Sequence, residues 1–179
     1  MDTLIVILAI IGALVALILI AALFVKKAYL VQRNIIVHKP ASEVFNYVKF
    51  LKNQDHYSKW VMADPGMKKE FKGTDGTVGF VYGWNSTDKG VGEGEQEIKG
   101  IRDGEMDVEV RFVRPFENVG ITKMIVEPVS DGKAQVTWGM KGSSKYPLNL
   151  MNPVMDKILG KDLEISLNNL KTILEKSNL

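Results

Sequence analysis

The chain has 179 residues and sets 23 Lys and Arg against 21 Asp and Glu, a formal net charge of +2. That length holds one membrane segment and one domain with a core but not two typical domains, and the balanced charge offers no basic groove, so no nucleic-acid partner is expected. The absence of cysteine excludes disulfides, thiolate metal sites and a cysteine nucleophile; the two histidines, His38 and His56, form no metal-binding pair, so no metal site is expected either.

Residues 4–25, LIVILAIIGALVALILIAALFV, carry no charge. At about 1.5 Å per residue they cross the roughly 30 Å of bilayer hydrocarbon. The rival reading is a cleaved secretory signal. Against it, Asp2 is the only side-chain charge ahead of the run, the run is too long, and no A-x-A cleavage pattern follows. The expectation is an uncleaved transmembrane helix after a short flank at 1–3, joined by a linker at 26–30 to a domain at 31–179. Lys26, Lys27 and Arg33 follow the helix closely, and the positive-inside rule then makes this a single-pass membrane protein with a cytoplasmic carboxy-terminal domain. Gly12 and Ala16 form a small-xxx-small pair, read as lipid-facing filler.

The β-branched run after the linker predicts a strand over 31–38, and Pro40 stops it while suiting the opening turn of a helix. Val44, Phe45, Val48 and Leu51 recur along one face of that helix. The segment DHYSKW, ending in Trp60, predicts a short second helix or a tight connection. Alternating residues between turn signals then predict strands at about 67–73, 77–84, 91–101, 105–113, 117–128 and 133–142, an antiparallel meander in which Asp103-Gly104 makes a tight hairpin turn. Asn152 is placed as the cap of a last helix with Pro153 at its first position. Leu163, Leu167, Leu170 and Leu174 hold one face, and a helix running to Lys176 is about 36 Å long, enough to cross the sheet.

This order, together with the segments HKPASEVFNYV, Trp60, GVGEGEQEI, VRFVRPF, DGKAQVTWGMKG and LEISLNNLKTILE, resembles the START-like or SRPBCC superfamily, in particular its polyketide cyclase/dehydrase and lipid-transport branch. The resemblance covers residues 35–176. It implies an α+β helix-grip fold, a curved antiparallel sheet of about seven strands wrapped around the last helix with a hydrophobic pocket between them. Members of the superfamily bind lipids, sterols, polyketides or other apolar molecules, and some catalyse cyclisation or related chemistry, so the fold alone leaves function open.

Side chains alternate along strands, so Phe80, Tyr82 and Trp84 share a face, as do Val108, Val110 and Phe112, and Val136, Trp138 and Met140. If these faces point inward they line a ligand pocket with Trp60, Met151 and Met155; otherwise they are filled core. Arg111 and Arg114 hold a ligand's anionic head group or lie exposed. Glu93, Glu95 and Glu97 share the opposite kind of face, read as solvated. The glycines of GVGEG are read as relief where the sheet bends or another backbone approaches. For catalysis the candidates are His56, as a general acid or base at the pocket mouth, and Tyr82; no Ser-His-Asp order or cofactor fingerprint is present and no cofactor is expected.

The leading expectation is a membrane-anchored domain that binds a lipid or other hydrophobic small molecule. Two alternatives stay open: a cyclase or dehydratase acting on an apolar substrate, and a protein-interaction module of the co-chaperone type with an unidentified protein partner.

Overall fold

The computed structural model describes residues 2–176. Met1 of the expected flank and the last three residues of the expected 31–179 domain lie outside the described residues. Helix α1, Asp2–Phe24, contains the apolar stretch Thr3–Phe24, with a mean hydropathy of 3.4, and of its apolar residues only Ala22, near its end, is buried against the domain. It is long and apolar enough to cross a membrane.

The rest of the chain is one seven-stranded antiparallel sheet with helices against its concave face. The strands are β1 (Ala28–Val37), β2 (Lys68–Lys72), β3 (Val81–Asn85), β4 (Glu93–Arg102), β5 (Glu105–Arg114), β6 (Asn118–Ser130) and β7 (Lys133–Ser143), in the order β1-β7-β6-β5-β4-β3-β2. Only β1 pairs out of sequence: it closes on β7, with Ala28 opposite Ser143 and Val37 opposite Ala134. The meander follows from its turns, where Gly104 and Gly132 supply the positive φ (71° and 68°) that tight connections need.

Between β1 and β2 lie α2 (Ala41–Val48), a 3₁₀ turn at Leu51–Asn53, α3 (Gln54–Tyr57) and α4 (Lys59–Ala63). Where DHYSKW predicts a short helix or a tight connection there are two short helices, broken at Ser58, whose extended backbone (ψ 121°) lets Lys59 N–H donate to Ser166 Oγ. A 3₁₀ turn at Leu148–Met151 leads into the long helix α5, Asn152–Lys176. The face predicted for α5 is the one buried: Leu163, Leu167, Leu170 and Leu174 are at most 5% exposed. They pack with Val44, Val48 and Leu51 and with the inward residues of the sheet into a single core.

Ion pairs and a backbone hydrogen bond tie α5 to β1 and to the residue that follows it. Arg33 Nε and Nη1 reach Glu164 and Asp156 at 2.7 and 2.8 Å, and the His38 backbone N–H donates to Glu175 at 2.8 Å.

Two boundary expectations change. β1 starts at Ala28, not at residue 31, because residues 28–30 of the expected linker pair with 141–143 of β7. β3 starts at Val81, so Phe80 precedes the strand, after Gly79 with φ 87°.

Asn152 does not cap α5 in the expected way. Its own backbone is already helical (φ −58°, ψ −38°), because the 3₁₀ turn continues into the helix. Its amide donates instead to the carbonyls of Lys26 and Lys27, at 2.8 and 2.6 Å, and its Oδ1 accepts from Ser144 Oγ at 2.7 Å.

Candidate functional site

The register of the sheet defines two ends. The end where α1 enters carries the start of β1, the end of β7, the start of β6, the end of β5, the start of β4 and the end of β3. The opposite end carries α2 and the last turns of α5, which fill the concavity there. Toward the α1 end a cavity of about 240 Å³ remains between sheet, α4 and α5.

Its walls are built by the alternation of the strands. Tyr82 and Trp84 come from β3, Gln96 from β4, Val110 and Phe112 from β5, Thr122 from β6, and Trp138 and Met140 from β7. Trp60, Val61 and Met67 close one side and Leu159 of α5 the other. The aromatic groups brace one another edge to face: Trp60 and Trp138 have ring centroids 6.1 Å apart at 87°, Trp84 and Phe112 5.9 Å apart at 79°. Such arrangements align the positive edge of one ring with the negative face of the next.

Two polar features interrupt the apolar wall. Gln54 and Gln96 are buried and exchange amide hydrogen bonds at 2.9 and 3.4 Å. Each amide has a second N–H, so the pair is a fixed polar point in a greasy surface. At the rim, Arg114 Nε donates to Glu93 at 2.8 Å and its Nη2 to Asn85 at 2.7 Å, which holds the guanidinium beside Pro115 at the cavity edge.

Gly92 and Gly94 allow the sheet to close around this end. Gly92 adopts φ 66°, and a Cβ there would collide with the Arg114 carbonyl; a Cβ on Gly94 would stand 2.7 Å from the Trp84 ring. The pairing of β4 with β5 shifts register between Glu93 and Gly94. Bend and close approach both occur where the glycines were read as relief.

Of the residues expected to bind ligand, Trp60, Tyr82, Trp84, Val110, Phe112, Trp138 and Met140 line the cavity. Phe80 and Val108 do not. Both point inward, but they lie nearer the opposite end of the sheet, Phe80 just ahead of β3 and Val108 early in β5, where they are 1% and 2% exposed in the filled core; Phe80 stacks on Phe71. Met151 is 49% exposed in the 3₁₀ turn ahead of α5, and Met155 packs against the core without reaching the cavity.

Arg114 lies at the rim, but Arg111 does not face the cavity. Its side chain lies on the convex face, where Nε donates to Glu95 at 2.8 Å, Nη1 to Glu97 at 2.9 Å, and Glu109 makes a third partner. The three glutamates of β4 are therefore on the outer face, as expected, and paired with arginine there.

His56 is exposed on α3 and lines no part of the cavity, so it does not stand at the mouth. Tyr82 does line it, yet its hydroxyl donates to Asp55 at 2.8 Å, and Asp55 also pairs with Lys69 at 2.8 Å. Burial, reinforced by the Asp55 carboxylate, pushes the Tyr82 phenol well above its ordinary range, so its proton is firmly held.

Sequence reasoning passed over Gln54, Gln96, Met67, Val91, Thr122 and Leu159. Leu159 stood in plain view, four residues before Leu163 on the same helical stripe. Gln96 alternates with Gly94 and Ile98 but was hidden by the glutamates beside it. Nothing local marks Met67 or Val91, which loops bring to the cavity.

The model of the family described as polyketide cyclase / dehydrase and lipid transport matches residues 30–175. Among solved structures, norcoclaurine synthase from Thalictrum flavum in complex with dopamine and hydroxybenzaldehyde aligns with a TM-score of 0.63 at 11% identity, covering 89% of this chain and 93% of that one. Ara h 8.0201 gives 0.60 at 13%, covering 84% and 99%. A protein from Thermobifida fusca gives 0.57 at 15%, covering 83% and 95%. A comparison with curated proteins finds no match. The likenesses to solved structures show the helix-grip fold, and the family match takes in β1 from its third residue, the other six strands and nearly the whole of α5. The chain belongs to the polyketide cyclase / dehydrase and lipid transport family of the START-like superfamily.

Proposed function

We propose that this chain is a single-pass membrane-anchored domain that takes up one hydrophobic small molecule, or one acyl segment of a lipid, in the cavity between sheet and α5, with the domain on the cytoplasmic side. The observation that carries this reading is the composition of the cavity wall: all three tryptophans of the chain, with Tyr82, Phe112, Val110 and Met140, face one continuous space. Apolar area left unfilled in a core forfeits both dispersion and hydrophobic free energy, so a wall of this kind is stabilised by an apolar guest.

Size narrows the guest. About 240 Å³ exceeds the ~150 Å³ apolar cavity that suffices for benzene and falls short of the ~300–1,000 Å³ of pockets that enclose drug-sized ligands. A ring system or part of a single acyl chain fits; a two-chain lipid does not fit whole. The Gln54–Gln96 pair offers hydrogen bonds to one polar group at depth, and Arg114 offers charge at the rim.

Anchoring serves such a pocket because it holds the domain at high effective concentration against a membrane-dissolved guest. Lys26 and Lys27, directly after α1, support the cytoplasmic placement. The cyclase reading has the weaker footing, since the Tyr82 hydroxyl is engaged by Asp55 and His56 faces away from the cavity.

Native mass spectrometry of the full chain released from detergent micelles tests the binding reading. One adduct per chain, extractable into organic solvent, is expected. A chain that emerges empty and acquires nothing after incubation with a membrane lipid extract would overturn it.

A further inference from the structure

We propose that the α1 end of the domain sits in the interfacial layer of the bilayer that holds α1, so that the cavity opens onto lipid and not onto water. This rests on the anchored-binding reading above and adds to it an orientation and a route for the guest.

The register fixes which loops share the α1 end. Ala28 stands opposite Ser143, Ile121 opposite Lys141, Phe112 opposite Asn118, and Glu93 opposite both Arg114 and Asn85. The connections 86–92, 115–117 and 144–151 therefore lie together where α1 enters. Gly90, Val91, Arg114 and Pro115, at these connections, line the cavity; among the described residues, none of its lining comes from the connections at the opposite end.

The domain does not hang from α1 by a loose tether. The last carbonyls of a helix lack intrahelical partners, and here Asn149, Asn152 and Ser144 bond to carbonyls of the last turn of α1 and of the residues just after it. Asn149 donates to the carbonyls of Ala22 and Val25 at 2.6 and 2.8 Å, Asn152 to those of Lys26 and Lys27, and Ser144 N–H to Lys27 O at 2.9 Å. Ala22 is only 2% exposed beneath them.

This clamp sets a depth. The Tyr146 hydroxyl donates to the carbonyl of Leu19 at 3.2 Å, five residues before the end of α1 and thus about 7.5 Å inside it. If the apolar length of α1 lies in hydrocarbon, Tyr146 is drawn to the interface with it, where tyrosine is favoured, and exposed Lys26, Lys27 and Lys145 lie at head-group level.

The surface presented there suits that position. Phe116 is 70% exposed, Leu148 54%, Met151 49% and Val154 42%, all at the α1 end. Single exposed apolar residues are ordinary, whereas a set of them around a cavity mouth beside an apolar helix marks a surface that another apolar phase covers. At the opposite end the hairpin turns Asp103-Gly104 and Asp131-Gly132 are polar, and the exposed apolar residues Val78 and Val129 stand beside no cavity mouth and no apolar helix.

The chain has no cysteine, so single reporters can be introduced cleanly. Gly12→Cys, Phe116→Cys, Leu148→Cys and Asp131→Cys, each carrying a nitroxide, would be reconstituted as full chains in vesicles of phosphatidylcholine with a minority of phosphatidylglycerol. Their collision rates with oxygen and with a water-soluble nickel chelate would be compared. Labels at 116 and 148 are expected to be severalfold more accessible to oxygen than to nickel, like the label at 12, while the label at 131 behaves as in water. Labels at 116 and 148 that match 131 while 12 remains buried overturn this inference and leave the adduct measurement, and with it the binding reading, intact. A label at 12 that is itself water-exposed overturns both the anchoring and the orientation.

Discussion

Trp84 lies across Gly94, its partner on the neighbouring strand: a Cβ on Gly94 would come within 2.7 Å of the indole Cζ2. The ring forms cavity wall in the space that the missing side chain leaves, and the same glycine sits tight against the Arg111 carbonyl. Gly94→Ala is therefore expected to lower stability by about 1–3 kcal/mol, the usual range for overpacking. It is also expected to shift the tryptophan emission, because the ring must move. Chemical denaturation and emission spectra of the full chain in detergent check both; an unshifted spectrum would mean that the indole does not rest on Gly94.

Stability and binding are expected to separate along a single strand face. Phe80 and Tyr82 point the same way, but Phe80 lies in filled core and Tyr82 in the cavity wall. Phe80→Ala is expected to cost about 3–5 kcal/mol with guest affinity unchanged in the fraction that remains folded. Val110→Phe, which intrudes on the cavity, is expected to weaken guest binding at least tenfold while costing no more than the about 1–3 kcal/mol of overpacking. Denaturation midpoints and adduct occupancy by native mass spectrometry measure the two effects side by side.

Tyr82→Phe distinguishes binding from phenol chemistry. It removes a hydroxyl that donates to Asp55 and is expected to cost about 1 kcal/mol, with adduct occupancy retained. Loss of a turnover activity in this variant, with occupancy intact, would favour the cyclase reading.

Acid is expected to weaken ion pairs on both faces of the sheet. Lys99 and then Arg111 hold the Glu97 carboxyl below its ordinary range, Lys123 does so for Glu105, and Arg33 for Asp156. Groups lowered in this way bind protons less readily folded than unfolded. Their contribution is complete above the ordinary carboxyl range and is lost as the pH falls through the folded values. The melting temperature should therefore begin to fall only below about pH 5. Arg111→Gln should flatten the fall by removing part of the shift. A wild-type melting temperature that stays level to about pH 3 would contradict the assignment.

The sequence made the architecture legible because periodicity reports directions. Alternation identified the inward faces of β3, β5 and β7, and the leucine spacing identified the buried stripe of α5. It did not report position along an element, which is why Phe80 and Val108 were grouped with Tyr82 and Val110: whether an inward residue meets a cavity or a packed helix depends on where α2 and α5 lie across the sheet. Arg111 was misplaced for a related reason. Its neighbour Phe112 faces the cavity, so alternation itself sends Arg111 outward, toward the glutamates of β4. The grip of Asn149 and Asn152 on the end of α1 joins residues more than a hundred positions apart, and no local pattern announces it.

The central claim is that one apolar guest occupies the space between sheet and α5, and the protein carries its own reporter for this, since every tryptophan it has lines that space. The most direct measurement is energy transfer from Trp60, Trp84 and Trp138 to a conjugated polyene fatty acid titrated into the full chain in nanodiscs. Saturation at one probe per chain, reversed by a membrane lipid extract and weakened by Val110→Phe, is the expected result. Transfer that rises without saturating and is indifferent to Val110→Phe would contradict it.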